Sequence, residues 1–70
     1  MQSFWIKVRD DIYFVSPINL QGIKVFNVNI RNEEISFVSS KKDIHCLTKT
    51  QLDAGLLKEF ARKIASYIVT

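Results

Sequence analysis

Seventy residues, 47% hydrophobic and 24% charged, describe one folded domain close to the lower size limit for a chain held by packing alone. Cys46 is the single cysteine, which excludes an internal disulfide, and one cysteine with one histidine (His45) fall short of the four ligands of a structural zinc site. A net charge of +3 with a pI near 9.3 is mildly basic, so it tolerates a polyanionic partner without implying one.

The elements follow in chain order. Phe4 to Arg9 alternates Phe4, Ile6 and Val8 with Trp5, Lys7 and Arg9, the period-two signature of a half-buried strand. Asp10-Asp11 makes a tight connection into a second strand, Ile12 to Ser16, which Pro17 ends because it lacks a backbone donor. Asn19 to Gly22 is a turn-rich link. Ile23 to Arg31 is the third strand, with Phe26, Val28 and Ile30 alternating against Asn27 and Asn29. Asn32-Glu33 reads as a hairpin tip, though it lacks the usual glycine, and Glu34 to Ser39 returns as a fourth strand. A polar loop with Lys41 and Lys42 leads to Ile44–Leu47, which has room for a brief fifth strand.

The last element is the best marked. Leu52, Leu56, Phe60, Ile64 and Ile68 recur every four residues, widened by Leu57, Ala61 and Ala65, and predict an amphipathic helix over about 49–69. Thr48 with Gln51 fits a capping box, and Leu47 with Leu52 a hydrophobic staple. In that arrangement Gly55 costs about 1 kcal/mol relative to alanine. A start capped by Asp53, with Gly55 in the first turn, removes the cost. The fold class expected is α+β: an antiparallel sheet of four or five short strands and one C-terminal helix packed on one face, as a single domain over residues 1–70.

One helix covers one side of a sheet. With Phe4, Ile6, Val8, Ile12, Phe14, Phe26, Val28, Ile30, Ile35 and Phe37 turned to the helix, the strand period leaves Trp5, Lys7, Arg9, Tyr13, Val15, Val25, Asn27, Asn29, Ser36 and Val38 on the other side. An open face holding Trp, Tyr and valines is the expected place of work, because large aromatics and Arg bury much area for little lost freedom. The competing expectation is that a loop, or the residues after Pro17, folds across this face and buries Trp5.

Chemistry is harder to find. His45 and Cys46 are adjacent, so on an extended segment their side chains diverge and cannot act as a thiolate–imidazole couple. Asp10-Asp11 and Glu33-Glu34 fall at turns, where carboxylates are solvated and lack the burial that separates the pKa values of an acid–base pair. Two glycines cannot form a phosphate-cradling loop. The expectation is a non-enzymatic protein without cofactor or metal. No apolar run approaches the roughly 20 residues that span a bilayer. Met1 to Val8 has no basic start followed by a long apolar segment, so no membrane role is expected and a cytoplasmic location is.

The basic residues form three groups: Lys7 and Arg9 beside Trp5; Lys41, Lys42 and Lys49 before the helix; and Lys58, Arg62 and Lys63 on its solvent side. Lys7 and Arg9, with Lys24, would approach phosphates while Trp5 and Tyr13 stacked on bases. In element order the chain resembles the single-strand nucleic-acid binding domains of the Pur-alpha and Whirly type, and its segment Leu47-Thr48-Lys49-Thr50-Gln51-Leu52 resembles the strand–cap–helix junction of the related transcription-coactivator domains. That resemblance implies dimers that bind through the sheet. The chain departs from those families in its few turn glycines, its mild basicity and its acidic pairs at two turns. The leading expectation is an interaction module acting through Trp5, Lys7, Arg9, Tyr13, Val15 and Val25, as a homodimer or as a subunit of an assembly. Single-stranded nucleic-acid binding on the same face is the alternative.

Overall fold

A computed structural model describes residues 2–39 and 43–69; Lys41 and Lys42 lie outside the described residues. The elements are β1 (Phe4–Val8), β2 (Asp11–Leu20), β3 (Ile23–Ile30), β4 (Glu33–Ser39), β5 (Ile44–Cys46) and α1 (Ala54–Val69). The five strands form one antiparallel meander in the order β1-β2-β3-β4-β5, with the helix on one face.

The first three hairpin loops of the meander are each two residues long. Arg9-Asp10, Gln21-Gly22 and Arg31-Asn32 all have positive φ at both positions, the type I′ geometry whose twist matches that of the flanking strands. Only Gly22 adopts that backbone at no steric cost. The first and third turns therefore sit one residue earlier than expected: Asp11 opens β2 and Glu33 opens β4.

Turn length decides which side of β2 faces the core. A two-residue loop pairs Val8 with Asp11, Ile6 with Tyr13 and Phe4 with Val15, and residues directly opposite share a face. Tyr13 and Val15 consequently point at the helix, and Ile12 and Phe14 point away. This corrects the expected assignment for all four residues. Both sets in β2 are apolar, so alternation alone could not distinguish them.

Pro17 does not end β2, which continues to Leu20 with Pro17 opposite Phe26. The closing pair Leu20–Ile23 makes Ile18 and Ser16 the residues that hydrogen-bond β3, so the Pro17 nitrogen points to the β1 side. There β1 has already ended, since its last pair is Phe4 with Val15. The missing N–H costs no ladder bond at that point.

The core lies between the concave face and the helix. Phe26, Val28, Ile30, Ile35 and Phe37 from the central strands, Val8 and Val15 from the first hairpin, and Phe60 and Ile64 from the helix are fully buried. The helix backbone runs closest to β1 and β5, so the sheet curls around it and the large side chains of β3 and β4 fill the hollow. The Arg9 guanidinium donates to Glu59 at 2.5 Å near the helix start, while Tyr67 stacks on Phe4 with ring centroids 3.8 Å apart. The helix thus runs antiparallel to β1.

The helix begins at Ala54, five residues later than about 49, with Asp53 as its cap. The Asp53 carboxylate accepts the Leu56 N–H at 3.0 Å, and the Leu57 N–H reaches the Asp53 carbonyl at 3.1 Å. Gly55 occupies the first turn, where a Cβ would stand 3.0 Å from the same carboxylate oxygen, so its bareness leaves room for the cap. Thr48 has a different task. Its hydroxyl accepts the Ser36 N–H at 2.8 Å and extends the β4–β5 pairing past Cys46.

Candidate interaction surface

The outer face of the sheet is built by the odd positions of β1 and β3 and the even positions of β2 and β4, as the pairing registers require. Trp5 and Phe14 are directly opposed on β1 and β2, with ring centroids 4.7 Å apart and planes at 57°. Lys7 and Ile12 form the next pair. Trp5 is 63% exposed, Ile12 66% and Phe14 46%. No described segment lies over them, and the residues after Pro17 continue the sheet, so the expected covering of Trp5 is corrected.

A second apolar area occupies the far end of the same face. Ile18, Leu20, Ile23 and Leu47 are exposed there, around a shallow depression that Val25 and Val38 help to line. Val25 is itself largely buried among these neighbours. Between the two areas runs a polar row, Ser16–Asn27–Ser36, in which the Ser36 hydroxyl donates to Asn27 Oδ1 at 2.6 Å. Along β2 only Ser16 separates the Phe14 and Ile18 side chains on this face, a gap of about 13 Å for four strand residues.

Of the expected site residues, Trp5, Lys7 and Val25 stand on this face. Tyr13 and Val15 do not: Tyr13 packs edge-on against Phe60 with centroids 4.7 Å apart, and Val15 is fully buried. Arg9 does not either. It sits in the β1–β2 turn and reaches over the helix side, where Glu59 holds it at 2.5 Å and Asp53 lies 3.9 Å away. Lys24 shares the parity of Phe26, so it too projects from the helix side of β3.

Ile12, Phe14, Ile18, Leu20, Ile23 and Leu47 are outer-face residues that the sequence reading missed. The signal for the first two was the loop length; for Ile18 and Leu20 it was the possibility of a proline in a locally unpaired stretch of strand. Charge on the face is balanced, with Lys7 near one edge and Glu34 on β4. On β5, His45 is exposed on the outer side, while Cys46 turns inward and its thiol donates to the Thr48 carbonyl at 3.3 Å.

No family model matches the chain, and no curated protein and no solved structure matches it either. The resemblance to the Pur-alpha and Whirly type therefore gains no support beyond element order. Among the described residues, no helix is long and apolar enough to cross a membrane.

Proposed function

We propose that this domain is a non-enzymatic interaction module whose outer sheet face is a contact surface for another protein chain. The observation that carries the reading is the exposure of Trp5, Ile12 and Phe14 at one end of that face and of Ile18, Leu20, Ile23 and Leu47 at the other. Soluble domains rarely leave so many large apolar side chains clustered on one side without a partner for them. Trp and Phe give much contact area for few rotatable bonds, and the Ser16–Asn27–Ser36 row supplies directional hydrogen bonding between the two areas. The free thiol of Cys46 suits a reducing compartment such as the cytoplasm.

Sedimentation velocity over a concentration series, paired with iodide quenching of the single tryptophan, tests the reading. Association that protects Trp5 supports it. A protein that stays monomeric while Trp5 is shielded from quencher would sink it, because the chain would then be covering its own face.

The alternative, single-stranded nucleic-acid binding on this face, has less in its favour. Trp5 and Phe14 offer a stacking platform, but of the cations assigned to phosphates only Lys7 stands beside them. A titration of Trp5 fluorescence with mixed single-stranded oligonucleotides at low salt decides it. Binding of this kind weakens steeply with added salt through counterion release, and no response at low salt removes the reading.

A further inference from the structure

The sheet ends at β1, which pairs with β2 on one side and is the outermost strand on the other. The two-residue loop at Arg9-Asp10 makes Val8–Asp11 the closing hydrogen-bonded pair, and in an antiparallel ladder such pairs alternate. Phe4, Ile6 and Val8 thus direct their N–H and C=O groups toward β2. Trp5 and Lys7 direct theirs over the open edge. The same rule applied to the β3–β4 hairpin sends the Ser36 backbone away from β3. There its N–H meets Thr48 Oγ1 at 2.8 Å and its carbonyl meets the Leu47 N–H at 2.8 Å.

Edge strands are commonly guarded by proline, a bulge or several charges. Over its five residues, Phe-Trp-Ile-Lys-Val, β1 has an unbroken register, no proline and one charge, Lys7. We propose that β1 pairs antiparallel with β1 of a second copy, centred on Ile6, to form a two-fold dimer with a continuous sheet. Residues opposite each other must share a face, which leaves Trp5, Ile6 or Lys7 as the centre. Centring on Lys7 opposes two ammonium groups, and centring on Trp5 leaves Val8 without a partner from the strand. Centring on Ile6 matches the whole strand: Phe4 with Val8, Trp5 with Lys7, and Ile6 with itself.

In that register Trp5 and Lys7 carry the outward-pointing backbone groups and become the hydrogen-bonded pair, twice by symmetry. Each Lys7 ammonium then stands beside the indole of the partner's Trp5, where the ring face attracts a cation. The single charge on the edge meets an aromatic ring instead of its like. The pairing concerns the edge and not the outer face, so it goes beyond the function proposed above. It also brings the two Trp5–Phe14 areas side by side. The segment is short, so the dimer is expected to be weak, with Kd roughly micromolar or higher.

Sedimentation equilibrium and residue-resolved amide exchange, at low and high protein concentration, test the pairing. The expected result is a dimer in which the Trp5 and Lys7 amides gain about tenfold protection as concentration rises. Lys7→Pro removes an N–H that β2 does not use, and is expected to weaken association by about tenfold or more while circular dichroism stays unchanged. Should that variant not fold, Trp5→Lys sets ammonium against ammonium across the same edge and is expected to weaken the dimer similarly. Leu20→Asp with Ile23→Asp, at the far corner of the outer face, is expected to leave dimerisation intact. The pairing is overturned by a monomer at near-millimolar concentration, or by a dimer whose Trp5 and Lys7 amides stay unprotected. It is equally overturned by a dimer that the Leu20 and Ile23 substitutions abolish; that last result would mean association through the faces.

Discussion

Tyr13 packs edge-on against Phe60, with ring centroids 4.7 Å apart and planes at 68°, and this contact marks which side of β2 belongs to the core. Its neighbours divide accordingly: Val15 is fully buried and Phe14 lies 46% exposed on the opposite face. Val15→Asp would place an unpaired carboxylate in the apolar core, at a cost of several kcal/mol, and is expected to unfold the domain. Phe14→Asp, one residue away in sequence, is expected to leave a cooperative unfolding transition. Urea denaturation of both variants checks the assignment, and the reverse ranking would contradict it.

The helix cap is open to a direct comparison. Asp53→Ala removes the acceptor for the Leu56 N–H and is expected to cost about 1 kcal/mol. Gly55→Ala, which ordinarily gains about 1 kcal/mol inside a helix, is expected to gain little or to lose, because the new Cβ presses on the same carboxylate. Thermal melts of the two variants read both effects.

Arg9 is bound to the helix side by Glu59, with Asp53 near its other nitrogen. Both members of the Arg9–Glu59 pair are substantially exposed, so a double-mutant cycle is expected to return a coupling of no more than about 1 kcal/mol. The coupling should shrink further in molar salt. A large, salt-insensitive value would mean that Arg9 is buried more deeply than its position in the turn indicates.

Two of the three type I′ turns place side-chain-bearing residues in the left-handed region at both positions. Replacing Arg31-Asn32 by Asn-Gly supplies the pair that favours this geometry, and is expected to stabilise the domain by about 0.5–1 kcal/mol. An unchanged or lower Tm would show that the Arg31 side chain contributes more than its backbone strain costs.

Much of this architecture was legible in local patterns. Phe26, Val28 and Ile30 alternate with Asn27 and Asn29, so β3 announced its buried side, and the four-residue recurrence from Leu56 to Ile68 announced the helix stripe. Trp5, Lys7 and Val25 followed from the same alternation. Ile12 to Val15 offered no such contrast, because apolar residues occupy every position, and the face was settled only by counting loop residues back to Val8. Pro17 misled for a related reason: whether a proline breaks a strand depends on whether a neighbour needs its N–H, and that neighbour is β1, whose end is a tertiary fact.

That one face of the sheet, with Trp5 on it, lies away from the helix was determined by the sequence alone, since one helix with one apolar stripe can cover only one face. That Trp5 stands exposed there, and which residues join it, was decided by the tertiary structure. Two-residue loops couple the parity of each strand to the next, so a single turn geometry moved Tyr13 and Val15 into the core and brought Phe14 beside Trp5. It also carried Arg9 out of the face and into the reach of Glu59. Local periodicity identifies that a strand has two sides; only pairing register determines which side meets the helix.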